Sequence, residues 1–562
     1  MYNLQMMNSG SDIFKGKQVI RYDPAVHTYG QVLEALLNKD GHNIFSSLPG
    51  DETFETGVPE INTIGLSYPV LLSDKRWDTL HLTASSLFLG SALTNAGFAV
   101  MVKQQILPAA AVDSRLLACD LLGFTLFEDL FLPIRDLFSR LRNQYRYKGI
   151  VAAGGPLITL NPLQSAFHLP EVNLLVRGEA EFVLPGLIQA IAAKDINGLL
   201  EYSGFLFQVP GLIIISELSE IHRPDHFNKF CFNLEFLEKH HLESGLEINV
   251  SRGCKRGCAF CSAVQGRGLR KLPAAQLEDL LNRFSAKLVD FNIQSPRART
   301  VNINDDDILQ DLDYAGAIFQ SLKKNRFRLW GIQTSIASFY HPGGEIRAKA
   351  LEMVADRLLY VEDKPLVWIG TDVFLKQRGK RLGKWIPAED RWIRLIEEFE
   401  SREIRNYHYW ISSDQLSDWQ EFTREFILIY QLQSRFAYFG LIAHSPFVVP
   451  YATTPLYKRL IREPSAKDLI KYKKVLESRQ SLFRFPLVER VETRYRNLNR
   501  LLNNEKLNDR LGFFDYLGQK DYVQAALTLY NFLKQERLEA VAGAESLVKT
   551  ENELEEFIAR II

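Results

Sequence analysis

Ser251-Arg-Gly-Cys-Lys-Arg-Gly-Cys-Ala-Phe-Cys-Ser262 is the stretch from which the rest of the chain is read. Cys254, Cys258 and Cys261 stand in Cys-x3-Cys-x2-Cys spacing, with Phe260 just before the last of them. Three thiolates on one short loop can hold three irons of a cubane [4Fe–4S] cluster and leave the fourth iron open to a chelating substrate. The spacing differs from the Cys-x2-Cys-x2-Cys run of bacterial ferredoxins. The same thiols suit a structural zinc site, which wants a fourth ligand. Cys231, His222, His226, His240 and His241 are at hand to supply one. Spacing alone leaves both metals open.

Working outward, Leu246–Val250 immediately upstream fits a strand. It opens a βα series with further strands expected at Thr300–Asn304, Leu329–Thr334, Leu366–Asp372, Tyr407–Ser412 and Phe436–Ile442. Stretches of helical length separate them. A loop after the first strand of such a series lies at the carboxyl-end mouth, where barrel enzymes place their chemistry. Further upstream, from about 61 to 195, short apolar runs again alternate with amphipathic patterns, the mark of a parallel α/β sheet. Strands are expected at Ile61–Leu66, Phe98–Val102, Leu117–Phe124, Gly149–Ala153 and Val172–Val176, and helices at Thr83–Ala96, Ile134–Arg142 and Phe182–Ala193. Gly123, Gly154, Gly155 and Gly178 fall at strand ends, where doubly wound sheets receive ligands.

A chain of 562 residues exceeds one ordinary core and implies two or three domains. Lysine plus arginine and aspartate plus glutamate both number 67, so no global field argues for nucleic acid or an anionic membrane. The amino terminus lacks a basic segment followed by an apolar one, which predicts no signal peptide. The most apolar stretch, Gly204–Ser216, is broken by Gln208 and Pro210 and is too short to span a bilayer. Five cysteines, three of them clustered, do not make a disulfide framework and suggest a reducing cytoplasm. Residues 217–245 read as a charged linker, residues from about 465 as charged amphipathic helices, and residues 1–60 carry no motif.

The cysteine loop resembles the radical S-adenosylmethionine (SAM) superfamily. The resemblance continues through Asn302-Ile-Asn-Asp-Asp-Asp307 at the second strand, Trp368-Ile-Gly-Thr-Asp372 at the fourth, Gly379-Lys-Arg-Leu-Gly-Lys384 after it and Thr453-Thr-Pro-Leu-Tyr457. The upstream sheet looks like the cobalamin-binding domain that precedes many such barrels, through Asp120-Leu-Leu-Gly-Phe-Thr125, Ala152-Ala-Gly-Gly-Pro156 and Val176-Arg-Gly-Glu-Ala-Glu181. The resemblance implies an α/β chain with a Rossmann-like cobalamin-binding domain (61–216), a partial (β/α)6 barrel (246–464) and a helical region (465–562).

It further implies that Cys254, Cys258 and Cys261 hold the cluster, and that Phe260, Gln333 and Asp372 serve SAM. Gly123, Thr125, Gly154, Gly155, Gly178 and Glu179 would border cobalamin. Two departures stand out. Ala180 replaces a family glycine, and no Asp-x-His-x-x-Gly motif supplies a lower cobalt ligand, His27 being read as an ordinary histidine. Gly343-Gly-Glu345 is read as a turn, Asp305–Asp307 as helix-capping and Cys119 and Cys231 as buried spectators. Lys255, Arg256, Arg267, Arg270 and Lys271 are candidates to receive an electron donor such as flavodoxin or ferredoxin. The implied activity is cleavage of SAM to a 5′-deoxyadenosyl radical by a cobalamin-dependent methyltransferase acting on a small molecule or peptide. The alternatives are a radical cyclase, rearrangement enzyme or peptide maturase, and a non-catalytic iron–sulfur or zinc protein.

Overall fold

The computed structural model describes residues 5–7, 18–22, 61–71, 82–107, 111–127, 131–160, 162–209, 212–216, 227–261, 268–356, 364–411, 419–445, 454–456, 522–539 and 544–561. The chain forms two compact units. The first comprises 1–254, 263–304 and 320–328, and the second 255–262, 305–319 and 329–562.

Nine strands make one sheet in the first unit: β1 (Gln5–Met7), β2 (Gln18–Tyr22), β3 (Thr63–Leu71), β4 (Ala99–Leu107), β5 (Leu121–Thr125), β6 (Ile150–Gly154), β7 (Leu174–Val176), β8 (Phe205–Val209) and β9 (Leu212–Ser216). Their order is β1-β2-β9-β8-β7-β6-β5-β3-β4. The stretch from β4 to β7 is parallel, as the alternating pattern predicts, and its inner strands are apolar on both faces, as burial between two layers requires. The sheet is wider than expected. Gly204–Ser216 folds as the antiparallel pair β8 and β9, and β2 adds alongside β9 in parallel. Those strands have only five residues each, too short for the alternation to show.

The expected strand Leu117–Phe124 is also corrected, because Leu117 ends a short helix, Ser114–Leu117. Asp113 caps that helix by accepting from the Arg115 amide, and the strand proper begins at Leu121. The three expected helices form as α1 (Ala84–Asn95), α2 (Phe131–Asn143) and α3 (Leu184–Ala192). Thr83 caps α1 through its hydroxyl, which accepts from the Ser86 amide at 3.2 Å. The same unit holds the parallel pair β10 (Leu246–Ile248) and β13 (Thr300–Ile303), and the antiparallel pair β11 (Ser251–Arg252) and β12 (Arg270–Lys271).

In the second unit β14 (Arg328–Ser335), β15 (Leu366–Asp372), β16 (Arg405–Ile411) and β17 (Phe439–Ser445) pair in parallel in chain order. All six strands expected for the second series are thus present. A buried carboxylate, Glu425, knits this unit together. It accepts from the Phe374 amide at 2.8 Å, the Leu375 amide at 3.0 Å and the Trp410 indole at 2.8 Å, and pairs with fully buried Arg378. The last helix, Ala544–Ile561, sets Phe557 edge-on to Phe426 and Tyr430, so this end of the chain is packed. No described helix is long and apolar enough to cross a membrane. His27, Arg267, Thr453, Tyr457 and residues 457–521 lie outside the described residues.

Candidate functional site

Parallel strands end in loops at one edge of their sheet, and in the first unit those loops enclose a cavity of about 290 Å³. Gly123, Thr125, Gly154, Gly155, Gly178 and Glu179, all expected from sequence to border a ligand, line it. Gly155 has φ +95°, and a Cβ there would sit 2.8 Å from the Leu126 carbonyl oxygen, so only glycine fits. At Gly154 an added Cβ would meet only the Val176 carbonyl oxygen, at 3.3 Å. The Thr159 hydroxyl donates to the Gly155 carbonyl and accepts from the Gly178 amide at 2.9 Å, fixing one glycine turn against the other. Ala180 has no positive φ, so the family's glycine is dispensable there.

Three polar groups on the cavity wall were not singled out by sequence. Ser67 on β3 is 4% exposed, and its hydroxyl has no hydrogen-bond partner among the described residues. Glu247 on β10 is likewise buried. One of its oxygens accepts from the Ala84 amide at 3.0 Å, at the start of α1, and the other lies 3.5 Å from the Asn302 amide nitrogen. Burial pushes its carboxyl above the ordinary range, outweighing those donors. The third is Arg252, two residues before Cys254, which pairs with Glu181 and, at 3.3 Å, with Glu179. Its guanidinium lies 4.4 Å from the Phe88 ring centre and 4.7 Å from that of Phe227. Burial opposes its charge, but Glu181 and then Glu179 hold its proton more tightly than usual. Glu179, expected to meet cobalamin, is therefore occupied by Arg252 and, at 2.5–2.6 Å, by Arg270.

The second unit holds Lys255–Ser262, which carries Cys258 and Cys261. Asp307, fully buried, accepts from the Thr334 hydroxyl at 2.6 Å, the Ser338 hydroxyl at 2.8 Å and Arg256 Nε at 3.4 Å. It is thus an anchor for the loop rather than a simple helix cap. The Ala259 amide donates to the Leu382 carbonyl at 2.7 Å, and its carbonyl accepts from Leu456 at 2.9 Å. Gly383, with φ +63°, lets the chain pass 3.1 Å from the Gly257 carbonyl oxygen, measured to the Cβ it lacks.

Lys384 pairs with Asp372. Burial works against the Lys384 charge, but Asp372, then Cys258 and Cys261, lift it above its ordinary value. Burial pushes the Cys258 thiol up, while Lys384 pulls the other way. A buried cation beside two thiols suits a site in which those thiols are ionised. Among the described residues no three His, Cys, Asp or Glu side chains converge at metal spacing, the loop thiols included. The donor set fits a metal by its chemistry and is not gathered in advance.

The other expected residues divide. Gln333 is half-buried on β14, and Phe260 is half-buried in the loop. Gly343-Gly-Glu345 is a turn, with Gly344 at φ +88°. Arg270 is buried against Glu179, which removes it from any docking face, whereas Lys255 is exposed. Cys119 is buried, but Cys231 is exposed, contrary to its reading as a buried spectator. Of the candidate zinc ligands, His241 accepts from the Glu238 amide at Nδ1 and donates from Nε2 to the Val102 carbonyl, so neither nitrogen is open to a metal. His222 and His226 lie outside the described residues.

No protein-family model matches the chain. The solved cobalamin-dependent S-adenosylmethionine radical enzyme OxsB, with aqua-cobalamin and SAM bound, is similar with a TM-score of 0.60 at 14% identity, over 89% of this chain and 80% of that one. The radical SAM methyltransferase TsrM from Kitasatospora setae, with tryptophan substrate and a SAM analogue bound, is similar with a TM-score of 0.50 at 15% identity, over 71% of this chain and 76% of that one. TsrM with cobalamin and a [4Fe–4S] cluster bound matches at a TM-score of 0.50 and 14% identity, over 73% and 75%. In sequence, 128 residues are 29% identical to the uncharacterized methyltransferase PH0819 of Pyrococcus horikoshii, 21% of this chain and 26% of the relative. That match spans about a quarter of the relative's length. The α/β architecture expected from the sequence is the fold of these solved radical SAM enzymes.

Proposed function

We propose that this chain is a cobalamin-dependent radical SAM enzyme, and that it transfers a methyl group to an unactivated centre of a small molecule or peptide. The observation that carries the reading is likeness to OxsB over 89% of the chain, with the three-cysteine loop of this sequence in place. When bound, a [4Fe–4S] cluster with SAM supplies a 5′-deoxyadenosyl radical and cobalamin supplies the methyl group.

Cys254, Cys258 and Cys261 hold three irons in this reading. Asp307, through Arg256, and the backbone bonds at Ala259 fix the loop that carries Cys258 and Cys261. Lys384 offsets the charge of those two thiolates. In the first unit the glycine turns at 154–155 and 178 leave room for the corrinoid, and Thr159 sets their spacing. Gln333 and Asp372, on neighbouring parallel strands, remain the side chains assigned to SAM, Asp372 through or beside Lys384. Among the described candidates Lys255 is exposed and suits an electron donor. No side-chain nucleophile or acid–base pair is required.

A second reading, rearrangement or cyclisation without methyl transfer, is favoured by one fact: the broader and better match bears the name of a radical enzyme, not a methyltransferase. One experiment separates the readings. Anaerobically reconstituted protein should hold about four irons per chain. With substrate and reductant it should release 5′-deoxyadenosine together with S-adenosylhomocysteine, the label of deuterated-methyl SAM passing into product. 5′-Deoxyadenosine without methylated product selects the second reading. Retention of SAM cleavage after Cys254, Cys258 and Cys261 are all replaced by alanine refutes both.

A further inference from the structure

The cavity of the first unit has a polar wall that its glycine turns do not explain. Ser67 presents a buried hydroxyl with no hydrogen-bond partner among the described residues. Glu247 presents a buried carboxyl that accepts from the Ala84 amide and from the side chains of Asn302, at 3.5 Å, and Asn304, which leaves carboxylate lone pairs for a further donor. Asn249, 6% exposed, lines the same wall and donates to the Asn304 carbonyl. A buried hydroxyl without a partner costs free energy that a bound ligand group would recover.

The charge on this wall selects the kind of group. Among the described residues its one cation, Arg252, is matched by Glu179 and Glu181. Glu247 adds acid, not base, so an anionic group would enter against a carboxyl with no free cation to receive it. The surrounding lining is apolar, including Leu66, Phe124, Val176 and Leu184. A neutral group that both donates and accepts suits a hydroxyl beside a carboxyl, and a carboxamide does both.

We propose that Ser67 and Glu247 form a carboxamide-recognition subsite, which hydrogen-bonds the amide side chains of a corrinoid and rejects corrinoids that carry carboxylates in their place. This rests on the corrinoid reading above and adds to it two residues and a selectivity. Both residues are positioning residues for the cofactor, and their effect is read by binding alone.

The test compares three probes by absorbance titration of the anaerobically purified full chain: hydroxocobalamin, cobinamide, whose ring side chains are all carboxamides, and cobyrinic acid, whose side chains are carboxylic acids. The wild type should bind the two amides and bind cobyrinic acid about 100-fold more weakly. Ser67→Ala should weaken both amide ligands about 3- to 10-fold with an unchanged far-ultraviolet spectrum. Glu247→Gln should keep amide binding and, at a pH where the folded carboxyl is ionised, narrow the discrimination against cobyrinic acid about 10-fold. The wild-type comparison needs no variant to fold. If hydroxocobalamin binds but cobyrinic acid binds equally well, or Ser67→Ala changes nothing, the subsite is wrong and the corrinoid reading stands. If the wild type binds none of the three, the corrinoid reading falls and this subsite with it.

Discussion

Replacing Glu247 by glutamine should remove a pH dependence from the stability of the first unit. The carboxyl is 4% exposed, and burial lifts it above its ordinary value. An unfolded glutamate titrates near about 4.3. Between that value and the raised one, the folded protein holds a proton that the unfolded chain has lost. Stability is therefore full below the unfolded value and falls as pH rises toward the folded one, by about 1.4 kcal/mol per pH unit. Glutamine keeps the shape, can still accept from the Ala84 amide, and does not ionise. In urea titrations from pH 5 upward, the wild type should lose ground to the variant until the pH passes the folded carboxyl's value, and the gap should then stay constant. At a denaturant slope of roughly 3 kcal/mol per molar, the loss is about 0.5 M in midpoint per pH unit. Profiles that run parallel from pH 5 upward would show that the folded carboxyl ionises like a free one.

Gly154→Leu places its branched side chain in the cavity, because its Cβ meets only the Val176 carbonyl; hydroxocobalamin affinity should fall at least about 100-fold with secondary structure intact, and an unchanged affinity would move the ligand elsewhere. Burial lowers His241 and His408 to about 3 and His168 to about 4, so all three stay neutral in the fold and charge only on unfolding as pH drops below about 6.5. Their contribution is present above that value and lost below it, about 4 kcal/mol per pH unit in sum against the opposite trend of Glu247. Thermal melts should show midpoints dropping steeply between pH 6 and 4.5, and a flat profile would refute the neutral histidines.

The strands of both series were legible because runs such as Leu121–Thr125 and Ile150–Gly154 are apolar throughout and end at glycine or a small residue. The cavity-lining turns were legible for the same reason, since positive φ at Gly155 and Gly178 leaves a residue-type signature. The short strands were not, because five residues such as Leu212–Ser216 carry no period that separates strand from buried coil. Side-chain partnerships were the least legible. Glu179 looked like a ligand contact and is held by two arginines that lie far from it in sequence. Ser67 carries no sequence signal. Glu247 offered one, a lone acid within the expected strand Leu246–Val250, and Arg252 another, a lone cation at the edge of the cysteine loop. Long-range pairing decides such roles, and a sequence does not show which distant charge will meet which.

The left-handed backbone at Asp372, with φ +63°, narrows what evolution can place there. Glycine and asparagine tolerate that conformation as aspartate does, but neither carries the negative charge that holds Lys384. Glutamate carries the charge and suits the conformation less well. Conformation and charge together favour aspartate, so the strand end and Lys384 constrain one another. Asp372→Asn should keep the turn and release Lys384, whereas Asp372→Glu should keep the charge and strain the turn.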